Sequence, residues 1–197
     1  LIKRMEDRKI VTPVAYSTIM GVLSMKGTPE AAEKAQELLL KVDATTTNPH
    51  VYNVVMHAWA QANRIDKAHE LLTKLQAGGP GSCDVISHAI VMNAYAKSLA
   101  SASSSKEEKD IVERVQLLFE GLMQRYRDGD KACRPNCATY TIMVQLYCRV
   151  QRPGKAERLL YQSYDDYLKD PSDEARPNAQ LVTTVLDGWA KSGNMDA

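Results

Sequence analysis

Tyr52-Asn53-Val54-Val55-Met56-His57-Ala58-Trp59-Ala60, a break at Ala62-Asn63-Arg64, then Ile65-Asp66-Lys67-Ala68-His69-Glu70-Leu71-Leu72-Thr73-Lys74-Leu75, closing on Gly78-Gly79-Pro80-Gly81, is the stretch that decides the fold. Tyr52, Val55, Met56 and Trp59 stand at i, i+3, i+4 and i+7, which is one face of an α-helix. Ala68, Leu71, Leu72 and Leu75 repeat that spacing in the second half. A strand would alternate with a period of two, and neither half does. The stretch predicts helix, turn, helix, turn.

The same template recurs on both sides. First-helix columns read Tyr16, Ile19, Met20, Leu23; then His88, Val91, Met92, Tyr95; then Tyr140, Met143, Val144, Tyr147; then Val182, Val185, Leu186, Trp189. Second-helix columns read Ala35, Leu38, Leu39, Val42; then Val115, Leu118, Phe119, Leu122; then Ala156, Leu159, Leu160, Ser163. A small leader lets two helices approach, and the bulky pair behind it fills the seam. Column leaders Tyr16, Tyr52, His88, Tyr140 and Val182 stand 36, 36, 52 and 42 residues apart. A near-fixed period of this size marks an all-α array of stacked helical hairpins.

The predicted units are the end of a preceding repeat at 1–10, repeats at 11–47, 48–84, 85–136 and 137–178, and a partial repeat at 179–197. Leu1, Ile2 and Met5 fit the tail of a second helix, so the chain is expected to begin inside one. The excess length falls in two places. One is an insertion at 99–110, a Ser/Lys/Glu tract expected as a surface loop before a helix over 111–126. The other lies near Tyr164–Glu174.

Composition narrows the function. Of the 197 residues 44% are hydrophobic, enough for a stacked helical core. Lys and Arg number 25 against 24 Asp and Glu, so any electrostatic footprint must be local rather than global. No apolar run of about 18 residues is present, which predicts no membrane partner. The four cysteines, Cys83, Cys133, Cys137 and Cys148, are scattered. A helical array needs no disulfides, which favours a reducing compartment.

No catalytic motif is found: no Gly-x-Ser-x-Gly, no His-Glu-x-x-His and no phosphate-binding Gly-rich loop followed by Lys-Ser/Thr. Gly78–Gly81 follows a helix rather than a strand and reads as a turn between repeats. Cys133 and Cys137 have no second pair at zinc-site spacing. The expectation is no enzyme, no cofactor, no metal and no small-molecule substrate. His88 takes a Tyr's place in a packed column and reads as a core histidine, and Asp165–Asp166 as a solvated face.

One pattern is left over. Ser17, Asn53, Ala89, Thr141 and Thr183 each follow a column leader, one step off the buried stripe. Three residues earlier, on the same face, stand Val14, His50, Ile86, Ala138 and Gln180. Asp84, Asn136 and Asn178 stand immediately before their helices. Asp and Asn there are also ordinary helix caps. Capping accounts for those three but not for Asn53 or Thr141.

Tyr52-Asn53-Val54-Val55, Ala68-His69-Glu70-Leu71-Leu72, Asp84-Val85-Ile86-Ser87, Arg134-Pro135-Asn136 with Thr139-Tyr140-Thr141, and Ala190-Lys191-Ser192-Gly193 together resemble a pentatricopeptide repeat array. The Trp-x2-Leu-Gly-x2-Tyr signature of the related tetratricopeptide repeats is absent. The resemblance covers nearly the whole chain. It implies a right-handed α-solenoid in which each repeat reads one base of single-stranded RNA, 5′ to 3′ from the N- to the C-terminus.

By that resemblance the base-reading residues are Ser17 with Asn48, Asn53 with Asp84, Ala89 with Asn136, Thr141 with Asn178, and then Thr183. The last residue of the first repeat is Asn48 or His50. Val14, His50, Ile86, Ala138 and Gln180 would wedge the bases. Asn53 with Asp84 resembles the pair for uracil, and Thr141 with Asn178 the pair for adenine. The implied register is A-U-N-A. Lys97, Arg149 and Lys191, each nine residues after its column leader, are phosphate candidates, although cations also favour helix C-termini.

Two readings stand: a sequence-specific RNA-binding solenoid acting in a mitochondrion or plastid on transcript stability, processing or translation, and a protein–protein scaffold in a ribonucleoprotein. A third places an enzymatic domain outside this segment.

Overall fold

The computed structural model describes residues 13–43, 48–79 and 81–193. The preceding repeat expected at 1–10 and the side chain of Val14 lie outside that description. Nine α-helices run through the described residues, with no strand among them: α1 Pro13–Ser24, α2 Pro29–Asp43, α3 Pro49–Gln61, α4 Ile65–Gln76, α5 Val85–Ser98, α6 Ser105–Arg127, α7 Cys137–Arg149, α8 Pro153–Lys169 and α9 Ala179–Ser192. None is long and apolar enough to cross a membrane. The chain divides into two compact units, Leu1–Ala94 and Tyr95–Ala197.

In the first unit α1 pairs with α2 and α3 with α4, α1 lies beside α3, and α2 packs on α3. In the second, α7 pairs with α8, α9 packs on both, and α6 packs on α7. The central expected columns form these seams, and the side chain of Val42 lies outside the described residues. Tyr52, Val55, Met56 and Trp59 are buried, as are Ala68, Leu71, Leu72 and Leu75. Tyr140, Met143, Val144 and Tyr147 are buried against Val115, Leu118, Phe119 and Leu122 of the α6 column, with Phe119 edge-on to Tyr140 at 5.4 Å. Each such side chain contributes roughly 1.5–3 kcal/mol by leaving water.

Polar ties repeat with the helices. Trp59 Nε1 donates to Gln36 Oε1 at 2.6 Å, and Gln116 Nε2 donates to the Tyr147 hydroxyl at 2.6 Å. Trp59 and Tyr147 close their first-helix columns, and each Gln follows the leader of the preceding second-helix column. The turns between paired helices repeat too. Gly27, Asn63 and Gln151 all take positive φ, at 63°, 57° and 57°, and Gly193 does so after α9. The Arg64 and Arg152 amides then reach back to the Trp59 and Tyr147 carbonyls at 2.9 and 2.8 Å, which closes the helix end.

Three expectations are corrected. The 99–110 insertion is not all loop: after a 3-10 turn at Leu99–Ser101, helix α6 already runs from Ser105. Ser104 caps it, accepting from the Glu107 amide at 3.2 Å, while Glu107 Oε2 accepts from the Ser103 amide and hydroxyl at 2.8 and 2.9 Å. Those bonds hold the Glu107 carboxyl below the usual carboxylate range. Second, Asp166 is no simple solvated residue. It lies on the extended end of α8, and the buried Tyr140 hydroxyl donates to its Oδ2 at 2.5 Å. The neighbouring turn is tied to α6, where the Tyr126 hydroxyl donates to Asp170 Oδ2 at 2.8 Å. Third, α9 buries Leu181, Val185 and Gly188, while Leu186 is 61% exposed. Within the described residues α9 packs mainly on α7 and α8, and its buried face turns toward them.

Gln151→Gly is expected to stabilise the chain by about 0.5–1 kcal/mol, because a left-handed residue with a Cβ is strained; chemical denaturation measures it. Burial, together with Asp166, pushes the Tyr140 hydroxyl well above the ordinary tyrosine value. In the unfolded chain Tyr140 ionises near ~10, so above that pH the unfolded state holds fewer protons and stability falls. Tyr140→Phe is expected to cost about 0.5–1.5 kcal/mol near neutrality. Its stability should then decline less steeply between mildly and strongly alkaline pH, as paired denaturation curves will show.

Candidate nucleic-acid interface

The expected repeat at 48–84 supplies the clearest candidate pair. Helix α3 carries Asn53 one step off its packed column, and α5 starts just after Asp84. Asn53 Nδ2 donates to Asp84 Oδ1 at 3.2 Å, with Oδ2 at 3.4 Å. These residues are 31 apart in sequence. Asp84 also caps α5: its Oδ1 accepts from the Ser87 amide at 2.7 Å, and its own amide donates to Ser87 Oγ at 3.3 Å. Ser87 Oγ lies 2.7 Å from Asn53 Oδ1. Asn53 is only 5% exposed and Ser87 fully buried, while Asp84 is half-buried, so the expected rung is a largely buried polar cluster.

The other residues before helices are caps in fact. Asn136 accepts from the Thr139 amide at 3.1 Å, and Thr139 Oγ1 accepts from the Asn136 amide at 3.1 Å. Asn178 Oδ1 accepts from the Leu181 amide at 3.0 Å, and Asn48 Oδ1 from the His50 amide at 2.9 Å. In each case the carbonyl end faces backbone, which leaves the amide hydrogens of the same side chain to point away.

Thr141 and Thr183 give their hydroxyl protons to their own helices, at Cys137 O (2.7 Å) and Ala179 O (2.8 Å). Their oxygens remain as acceptors. Thr141 is half-buried and Thr183 exposed; Ser17 and Ala89 are half-buried. Thr141 and Asn178, unlike Asn53 and Asp84, share no hydrogen bond among the described residues.

The expected wedges stand where a flat ligand could reach them. Ile86 is 55% exposed, and His50, Ala138 and Gln180 are exposed as well. The cations Lys97, Arg149 and Lys191 are exposed at the far ends of their helices. Arg149 Nη1 donates to the Ala96 carbonyl at 3.1 Å, so part of its guanidinium is committed to the fold. His88 is fully buried: its Nδ1 is 3.0 Å from the Asp84 carbonyl and its Nε2 3.0 Å from Gln76 Nε2. A ring protonated at Nδ1 serves both, as a packed structural histidine.

Ser87 and Thr139 stand among the residues that carry the resemblance, which gives neither a role in base reading. Their signal was nonetheless present: Asp84-x-x-Ser87 and Asn136-x-x-Thr139 place a hydroxyl three residues after a cap, where reciprocal capping forms.

The family described as PPR repeat matches residues 50–79 and 138–162. A pentatricopeptide repeat-containing protein of Arabidopsis thaliana is 26% identical over 187 residues, covering 94% of this chain and 29% of that protein. A second from the same plant, named as chloroplastic, is 20% identical over 177 residues, covering 89% of this chain and 30% of its own length. The small ribosomal subunit protein mL103 of Arabidopsis thaliana is 26% identical over 186 residues, covering 94% of this chain and 39% of its own. The chain thus spans roughly a third of the length of the curated relatives it matches.

Proposed function

We propose that this chain, which carries pentatricopeptide repeats at residues 50–79 and 138–162, binds single-stranded RNA through its first helices, one base per repeat and without catalysis. The observation that carries the reading is the direct contact of Asn53 with Asp84. Two residues paired by resemblance alone lie within hydrogen-bonding distance, beside the exposed Ile86. Asn53 retains a second amide hydrogen and Asp84 a second carboxylate oxygen. Those groups complement the adjacent carbonyl and N–H on the Watson–Crick edge of uracil.

Thr141 and Asn178 suit adenine on the same grounds. The Thr141 oxygen accepts, since its proton goes to Cys137 O. The Asn178 amide nitrogen donates, since its oxygen caps α9. Adenine offers an amino donor next to a ring-nitrogen acceptor. The register along repeats 11–47, 48–84, 85–136 and 137–178 is then A-U-N-A. One relative is named as chloroplastic and another as a ribosomal subunit protein, which supports a place in organellar RNA stability, processing or translation.

A scaffold role in a ribonucleoprotein is the second reading. Tyr161, Tyr164 and Leu168 favour it, being exposed at i, i+3 and i+7 on α8, as does a net charge of only +1.

Fluorescence titration with A-U-N-A oligonucleotides across salt tests the proposal. Binding is expected to weaken with salt by a log–log slope of about −0.7 for each phosphate contacted. Asn53→Ala is expected to erase the preference for uracil at the second base. Binding that ignores both base identity and salt would leave the scaffold reading in place. Asn178→Ser separates capping from reading. Serine caps as well as asparagine, so stability should hold within about 0.5 kcal/mol, while the adenine preference at the fourth base relaxes. An unchanged preference there would reduce Asn178 to a cap.

A further inference from the structure

Ser87 is fully buried and has no place in the pairing scheme, yet it touches both members of the pair. Its Oγ is 2.7 Å from Asn53 Oδ1 and 2.8 Å from Asp84 Oδ1, and its amide donates to Asp84 Oδ1 at 2.7 Å. A serine hydroxyl has one proton to give. If it goes to Asn53 Oδ1, the Asn53 amide nitrogen faces the Asp84 carboxylate and donates to it. The Ser87–Asn53 and Asn53–Asp84 contacts then each pair a donor with an acceptor, and the Ser87 oxygen left facing Asp84 Oδ1 at 2.8 Å accepts from the Asp84 amide at 3.3 Å. If it goes to Asp84, the Asn53 amide must turn over to give its nitrogen to Ser87 Oγ. Its carbonyl oxygen then faces a carboxylate at about the same short distance, an uncompensated repulsion in a buried place. The first arrangement wins.

We propose that Ser87 is a positioning residue which locks the orientation of the Asn53 amide and thereby sets uracil against cytosine at this repeat. The inference rests on the RNA-binding reading above and deepens it. With the amide locked, Asn53 presents N–H, and Asp84 beside it presents an oxygen. Uracil meets them with its O4 carbonyl and N3–H. Cytosine in the same position sets its amino group against the Asn53 N–H and its bare N3 against the Asp84 oxygen, so both contacts fail. With the amide turned over, Asn53 would present its carbonyl and accept the cytosine amino group, which cancels half of the discrimination. The hydroxyl of Ser87 makes no contact with the base; it selects which end of Asn53 does.

The experiment measures the ratio of affinities for A-U-N-A and A-C-N-A oligonucleotides in the wild-type chain, Ser87→Ala, Ser87→Thr and Asn53→Ala, with thermal unfolding confirming that each is folded. Ser87→Ala is expected to lower the U:C ratio by about three- to ten-fold, the scale of one misplaced hydrogen bond. Ser87→Thr, which returns the hydroxyl, is expected to restore it. Thr139 holds the same position in α7, fully buried and bonded to its own cap, so the site admits threonine. Equal loss of affinity for both oligonucleotides in Ser87→Ala would make Ser87 a cap alone and overturn the inference. So would a U:C ratio erased by Asn53→Ala yet untouched by Ser87→Ala, an outcome that leaves the RNA reading standing. Failure of the wild-type chain to bind either oligonucleotide at any salt would overturn both.

Discussion

Burial of the first-helix column from two sides is the constraint on which the rest of the structure depends. Tyr52, Val55, Met56 and Trp59 meet α4, their own partner, and α2, the partner of the preceding helix. Tyr140, Met143, Val144 and Tyr147 meet α8 and α6 in the same way. A helix held on two sides has little rotational freedom. The residue one step past the column leader therefore lands at a defined place, the edge of the seam toward the next first helix. Asn53 occupies that edge, where it meets Asp84 and Ser87. The Trp59–Gln36 and Tyr147–Gln116 hydrogen bonds fix the seam at its far end, since any rotation of the first helix would break them.

The same geometry bears on how a capping side chain could also take part in the proposed base reading. A helix start exposes backbone N–H groups that need an acceptor. Asn48, Asn136 and Asn178 meet that need with the carbonyl end of the amide alone. The cap locks the side chain and aims the unused NH2 outward, which removes the ordering cost that a free surface asparagine would incur on binding. Asp84 differs in having no N–H to offer. It recruits one from Asn53 across the seam, and so the pair shares a hydrogen bond where Thr141 and Asn178 do not.

Most of the helical plan is legible from spacing, because the 3.6-residue period is carried by the packed columns of α3, α4, α5, α6 and α7. Where reading failed, the reasons are local. The Ser/Lys/Glu tract at 99–110 looks like a loop by composition, yet Ser104-x-x-Glu107 within it carries a helix-start signature, and the helix begins there. That Asp166 and Asp170 at the end of α8 accept from the Tyr140 and Tyr126 hydroxyls was equally hidden, because these partners lie 26 and 44 residues away and no local pattern announces them. The left-handed turn at Gln151 is invisible for the opposite reason: a glycine would have signalled it, and here the equivalence with Gly27 and Asn63 emerges only from the backbone. In the candidate site the residue types could be read off, but not that Asn53 is buried. That depends on how far α5 advances over α3, which is a property of packing.

Burial of Asn53 is also what gives its chemistry consequence. An amide at the surface turns over freely and exchanges its partners for water, so it distinguishes poorly between a donor and an acceptor. An amide held between Ser87 and Asp84 cannot turn without leaving a buried group unsatisfied, at a cost of roughly 1–3 kcal/mol. That penalty acts on any base that demands the other orientation. If the cluster reads a base as proposed, its burial would make it select more sharply than an open rung, at the expense of contact area. The lost area falls to the exposed neighbours, Ile86 above all, which supply apolar surface indifferent to base identity. On the proposed RNA-binding reading, discrimination and affinity would thus reside in different side chains of the same repeat.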